Sequence, residues 1–448
     1  MLKIQPYEKR VVWLLFAFSL VIATSYVVAR TIGDSLFLSR IGNEQLALVF
    51  VMSGIATALT ASTWYFLTRR LSVSSTIQFS SLAFSVFTLA ALLLLPRYHH
   101  SFWLLAAIYL LADIKGCINA INIVSALNTK LGRDASKPAW ALVGLAAPTA
   151  AVLMGSVLAA ESAVINVSTW LVVGLFLDLL AFSFGVALGR TSSVKDIIAN
   201  RVQTGVQITA GSDTSKSNQD ATDLRNPVFS KAKTYVCLTG FRRWIGILIA
   251  AKVIVLTMFA FEWKTAVNTF FDGQTESLVR FFGTYYGVVG LATIVLQLVV
   301  TGKLLKEKNL SLPLLLMPLM LLAIALFIVA NPGLLVVLLL ATLGKSLDAW
   351  RRSVHDTTLN FVYTRIRRGQ RRFAISFNSG LVKPLSEVTA SSIIFLGTTL
   401  VYRSVLLAVL VVWLYAAWRL IHLINHPDNV AKADLNSVAP IEKQLIQT

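Results

Sequence analysis

Apolar residues run along this chain in stretches of about 20, the length a helix needs to cross the hydrocarbon of a bilayer, and short polar segments separate them. Twelve such stretches can be marked: residues 11–29, 46–67, 76–95, 102–127, 138–160 and 167–188, then 244–261, 281–300, 312–330, 334–361, 373–396 and 405–424. The pattern predicts an all-α polytopic membrane protein with about twelve transmembrane helices. The opening "MLKIQPYEKR" is basic and then apolar like a secretory signal, but the apolar run is long and no small-residue cleavage site ends it, so it reads as the first spanning helix.

Between the sixth and seventh stretches the character changes. Residues 190–243 are polar, and "TAGSDTSKSNQDATD" within them has the composition of a flexible linker. The layout predicts an N-terminal six-helix half (1–189), a cytoplasmic linker (190–243), a C-terminal six-helix half (244–424) and a cytoplasmic tail (425–448). Composition agrees with membrane residence: 56% of the 448 residues are hydrophobic and 14% charged, too apolar and charge-poor for a soluble chain of this length. The net charge of +19 would suggest nucleic acid in a soluble protein. Here the basic residues gather in alternate loops, as cytoplasmic loops do, and neither RNA-module aromatics nor a basic helix outside the membrane accompanies them, so no nucleic-acid partner is expected. Those loops carry Arg69 and Arg70; Lys130, Arg133 and Lys137; the linker; Lys303, Lys306 and Lys308; and Arg365, Arg367, Arg368, Arg371 and Arg372. Both termini are therefore expected in the cytoplasm. Cys117 and Cys237 lie within or beside apolar stretches and form no disulfide framework.

The halves repeat weakly. Sliding one over the other sets Asp113 on Asp348, Thr129 on Thr364 and Lys137 on Arg372, with Pro148 and Pro384 one position apart. A charged fourth helix, a basic loop and a proline-broken fifth helix thus recur together. Parallel six-helix repeats are the pattern of major-facilitator transporters, whose substrate site lies between the halves near the midplane.

Charges within the spans mark that site, because each one in hydrocarbon needs a partner or a water-filled cavity. Span four holds Asp113 and Lys115, span six Asp178 and span seven Lys252; span ten holds Lys345, Asp348, Arg351, Arg352, His355 and Asp356. At about 100° per residue, Lys345, Asp348, Arg352 and His355 share one helix face. In span eleven Lys383 and Glu387 lie one turn apart. Arg30 and Asp34 fall near the outer end of span one, and Glu262 and Lys264 at the outer end of span seven. Several fixed cations at one depth suit a phosphate-bearing anion, since Lys and Arg can replace the water stripped from its oxygens. The expected anion-binding set is Lys345, Arg352, Lys383, Arg351, Lys115 and Lys252. The expected charge-pairing or proton-coupling set is Asp113, Asp178, Asp348, Glu387, Arg30 and Asp34.

Other motifs add little. His99 and His100 lack further ligands at metal spacing, and no Walker loop, nucleophile elbow or zinc-protease helix occurs, so no enzyme activity, cofactor or resident metal is expected. The spaced glycines of "GTYYGVVGLATIVLQLVVTG" favour close helix approach.

"FFGTYYGVVGLATIVLQLVVTGKLLKEKNLSLPLLLMPL" (281–319) and "LGKSLDAWRRSVHDTTLNFVYTRIRRGQRRFAISFNSG" (343–380) resemble the nucleotide transporters of the ATP/ADP translocase type. "VVARTIGDSLFLSRIG" (27–42) and "NTKLGRDASKPAWALVGLAAPTAAVLMGS" (128–156) carry the same flavour in the first half. The resemblance implies twelve helices, a facilitator-like fold, a bacterial inner-membrane location and exchange of nucleotides without hydrolysis. It converges with the residues read directly at Lys345, Arg351, Arg352 and Lys383. A proton-driven exporter of drugs or metabolites, with the carboxylates doing the coupling, is the alternative transporter; a non-transporting receptor or scaffold is the alternative of another class.

Overall fold

The computed structural model describes residues 6–68, 71–131, 142–162, 166–191, 240–301, 311–330, 333–363 and 377–425, together with residues 139, 366, 374 and 375. Among the described residues it is a bundle of twelve helices, two of them interrupted. The N-terminal half holds α1 (Pro6–Arg40), α2 (Leu46–Thr68), α3 (Val73–Leu94), α4 (Phe102–Lys130), α5 (Ala146–Glu161) and α6 (Val167–Gly189). The C-terminal half holds α7 (Gly240–Phe270), α8 (Thr275–Leu296), α9 (Ser311–Ala330), α10 (Leu334–Ser346 and its continuation), α11 (Lys383–Leu396) and α12 (Thr399–Asn425). Residues 192–239 and 426–448, which cover most of the expected linker and tail, lie outside the described residues, as do the loop arginines 365, 367, 368, 371 and 372.

These segments are helical because hydrocarbon offers no partner for backbone polar groups, and a helix satisfies all of its own except at the ends. The ends use local caps: the Ser72 hydroxyl accepts from the Ser75 amide at 3.1 Å and the Asn166 side chain from the Val167 amide at 3.1 Å. Within the spans, threonine hydroxyls return to the carbonyl four residues back, as Thr57, Thr149 and Thr293 do. Leucine and tryptophan side chains stand on the outer surface, with Trp103 at 71% and Leu400 at 75% exposure, which only lipid would solvate favourably. Among the described residues, ten helices are long and apolar enough to cross a membrane. The remaining two, α10 and α11, fall short because they are broken. Leu334–Ser346 is followed by Asp348–Trp350, a π-helical turn at Arg351–His355 and a last piece, Asp356–Tyr363; α11 is preceded by a π turn at Asn378–Val382.

The halves meet where α5 crosses α8, where α2 packs on α11 and where α1 passes α8. Where α5 crosses α8 the backbones nearly touch: a Cβ on Gly155 would lie 2.6 Å from the Gly283 carbonyl oxygen, and one on Gly290 2.8 Å from the Pro148 carbonyl oxygen. The spaced glycines of α8 therefore do the packing expected of them. α2 packs on α11 in the same manner, with Gly54 against Val388. At the end of the bundle bearing the α1–α2 turn, four hydrogen bonds join the halves: Asn43 Nδ2 donates to Thr269 Oγ1 at 3.1 Å, Asn268 Nδ2 to Asn43 Oδ1 at 3.1 Å, and Lys264 Nζ to Asp34 Oδ1 at 2.8 Å and to the Tyr109 hydroxyl at 2.7 Å.

Three local expectations change. α1 runs eleven residues past the span expected to close at Ala29, and α7 extends to Phe270 instead of stopping at Phe261, so Arg30, Asp34, Glu262 and Lys264 sit inside long helices rather than at their ends. Polar residues in those turns broke the apolar count, yet each has a partner in a neighbouring helix. The shared face assigned to span ten is split by the π turn: Arg352 points to the interior, whereas His355 is fully buried against Trp413 of α12, ring centroids 5.7 Å apart. Pro148 follows the turn at Leu145 that interrupts the span Leu142–Glu161, and Pro384 directly follows the π turn Asn378–Val382, so each proline sits where its helix is locally broken.

Candidate substrate cavity

A cavity of about 280 Å³ lies between the halves, at the low end of volumes typical for small-molecule sites. The N-terminal half contributes Tyr26 and Arg30 from α1, Asp113 from α4 and Pro148 from α5. The C-terminal half contributes Trp263 and Lys264 from α7, Tyr285, Tyr286 and Gln297 from α8 and its π extension, and Lys345, Asp348 and Arg352 from the broken α10. Asp113 and Asp348, equivalent in the weak internal repeat, thus face one cavity from opposite halves.

Two charge clusters frame it. In the first, Asp113 Oδ1 accepts from Arg30 at 2.5 Å and its Oδ2 from Ser53 at 2.5 Å; Asp34 lies 3.2 Å from Arg30 Nε and accepts from Lys264 at 2.8 Å. The Tyr109 hydroxyl accepts from both Arg30, at 3.2 Å, and Lys264, at 2.7 Å, and the ring lies under both cations at 4.8 and 4.6 Å. In the second, Asp348 holds Lys345 at 2.8 Å and Arg351 at 2.9 Å, while Asp356 holds Arg351 at 3.1 Å and Lys252 at 2.8 Å. The π turn makes this cluster possible by placing Arg351 between two carboxylates, Asp348 three residues before it and Asp356 five residues after it. Arg352 forms no ion pair among the described residues and is exposed to the cavity, so six cations face four carboxylates across the two clusters.

Against the second cluster stands an aromatic wall. Trp263 packs on Tyr285 at 4.4 Å between centroids and is fixed by its indole N–H to Thr342 at 3.1 Å. The Tyr285 hydroxyl donates to the Lys345 carbonyl at 2.9 Å, which ties the wall to the cationic helix. Tyr26 and Tyr286 complete the lining.

Not every expected residue reaches this cavity: Lys252, Arg351 and Asp34 belong to the framing clusters but are absent from its lining, and others lie further off. Lys115 and Asp178 pair at 2.6 Å inside the N-terminal half, with Ser25 and Thr88 completing their hydrogen bonds. Both are buried and absent from the cavity lining, so their pair holds α4 to α6. Lys115→Met should therefore destabilise the protein by about 3–5 kcal/mol, since it strands a buried carboxylate, and adding Asp178→Leu should recover most of the loss; thermal unfolding of the purified variants measures both. Lys383 and Glu387 lie 4.0 Å apart, the lysine 58% exposed, beyond the cavity proper. Glu387, one turn on, packs against Gly54 of α2, which places the pair where α11 meets the other half. Sequence reading set aside Lys264, placed at a helix end, and passed over Tyr26, Tyr109, Trp263, Tyr285 and Tyr286. Aromatics are too common in apolar helices to be singled out, although "FEWK" and "GTYYG" were the signals available.

Solved structures share this architecture. A crystal structure of the peptide transporter POT with sulfate is similar at 14% identity and a TM-score of 0.63, over 95% of this chain and 96% of that one. A D-xylose-proton symporter is similar at 10% identity and 0.62, over 92% and 97%, and a mutant of the nucleoside transporter NupG at 13% and 0.58, over 92% and 99%. No curated protein matches in sequence. The fold is that of major-facilitator secondary transporters, two six-helix halves around a central cavity. The profile of the TLC ATP/ADP transporter family matches residues 98–331, more than half of the chain, and the protein belongs to that family.

Proposed function

We propose that this protein exchanges nucleotides, or a closely related phosphate-bearing anion, across a membrane by alternating access. The observation that carries the reading is the cavity itself. It pairs a surplus of cations on α10 and α7 with a wall of Tyr26, Trp263, Tyr285 and Tyr286, so phosphates and a flat base each find chemistry suited to them. Membership of an ATP/ADP transporter family supports the same substrate class. Arg352 and Lys345 bind the phosphates; Arg351 and Lys252, held by Asp348 and Asp356, supply the surrounding positive field; Lys383 attracts the anion toward the gap between the halves. Among the described residues, the polar bridges between halves cluster at the end bearing the α1–α2 turn. With both termini in the cytoplasm, as the loop charges argue, that end is outside and the conformation is inward-facing.

A thermal-shift panel on purified protein tests substrate class directly. Nucleoside di- and triphosphates should raise the melting temperature, with stabilisation of about 2.7 kcal/mol at 100 times the dissociation constant, while uncharged nucleosides should leave it unchanged. Stabilisation by peptides or sugars and not by nucleotides would refute the assignment.

A further inference from the structure

Lys264 occupies two roles at once. Its ammonium lines the cavity, yet its ion pair is with Asp34 across the boundary between halves, and the Tyr109 hydroxyl takes a second of its hydrogens. The residue is 2% exposed and Asp34 is fully buried, so the contact is a dry one that must be broken before the halves can part at this end. Next to it Arg30 is shared between Asp34 and Asp113 and also lines the cavity. The carboxylate of Asp34 is therefore a tethered anion satisfying the two cations that a free anion in the cavity would meet first on this side. Around it the halves also meet through the polar bonds of Asn43 with Asn268 and Thr269, which can be exchanged for water on opening, and through the Phe50 ring, 5.2 Å from Lys264 Nζ and 6.2 Å from the Phe261 ring.

We infer that Lys264 is a substrate-contacting residue whose bond to Asp34 locks the empty carrier shut at this end, and that an anion entering the cavity opens the lock by replacing Asp34 as the partner of Lys264. The inference rests on the anion-exchange reading above and supplies its coupling step. An empty cavity leaves Lys264 with Asp34, and the halves stay closed. A polyanion draws Lys264 and Arg30 toward itself, the bridge weakens, and the loaded carrier can turn over. Exchange is then strict because only a loaded cavity breaks the bridge. Removing the bridge should let the empty carrier open as well.

The test uses spin labels on the full chain in nanodiscs, with Cys117→Ser and Cys237→Ser and single labels at Glu44→Cys and Glu276→Cys. Both label sites are exposed, one on the α1–α2 turn and one at the start of α8, so neither disturbs packing. Pulsed electron paramagnetic resonance then reports the distance between halves at this end. The paired neutral variant Asp34→Asn with Lys264→Gln leaves no stranded charge between them and should raise the long-distance population about tenfold in the absence of ligand. Inorganic triphosphate should raise it similarly in the parent and add nothing in the variant. An unchanged distance distribution in the variant overturns the lock, and a parent that ignores triphosphate while the variant opens overturns the anion trigger. The substrate assignment is judged separately by the thermal-shift panel, so its failure is not confused with failure of the lock.

Discussion

Replacing Arg352 with alanine should cut nucleotide uptake into proteoliposomes by about tenfold to a hundredfold, the loss expected for a charged hydrogen bond, while leaving the melting temperature unchanged. The split between the two readouts follows from its surroundings. Arg352 projects from the π turn into the cavity and forms no ion pair among the described residues, so removing it strands no carboxylate. Arg352→Lys should fall between the two, because a lysine keeps the charge but not the planar fork that grips two phosphate oxygens. The loss should appear mainly as a raised KM if Arg352 holds substrate equally throughout the cycle. A variant that unfolds, or one that transports normally, would remove Arg352 from the site.

Asp348→Ala should fail in the opposite way, losing transport and about 3 kcal/mol of stability together. The carboxylate is buried and holds two cations, Lys345 at 2.8 Å and Arg351 at 2.9 Å, at the point where α10 breaks after Ser346. Arg351 retains Asp356 when Asp348 is gone, which keeps the penalty at the low end for a buried pair. Lys345 retains no carboxylate among the described residues, and its side chain loses the geometry that aims it at the cavity. Asp348→Asn should be milder in stability, since an amide oxygen still accepts from one cation, yet still impaired in uptake. Unfolding followed in detergent beside uptake in liposomes separates the two effects. An Asp348→Ala protein of unchanged melting temperature would show that the cluster is not what holds α10 in shape.

The fold was legible because lipid imposes a coarse rule that apolar run length reports directly. Twelve stretches became twelve helices, and the aspartates aligned between halves, Asp113 and Asp348, line one cavity. What escaped was partnership. Lys115, Asp178, Lys345 and Asp348 all look alike as charges at mid-depth, but the first pair closes on itself inside one half whereas the second faces the cavity. Nothing in a periodicity distinguishes the two, because which helix a face meets is decided by tertiary packing. Lys264 was misplaced for a related reason: the polar turn "FEWK" reads as a helix end, and only Asp34 and Tyr109 from the other half make its burial affordable. The π turn at Arg351–His355 likewise leaves no signature in "RRSVH", yet it decides that Arg352 faces the cavity and His355 does not.

The central claim is anion exchange through this cavity, and counterflow tests it most directly. Proteoliposomes loaded with unlabelled ATP and placed in labelled ATP should accumulate the label quickly and transiently, whereas liposomes loaded with buffer alone should take up almost none. Equal uptake with and without internal nucleotide, or uptake driven by an imposed proton gradient alone, would contradict the account.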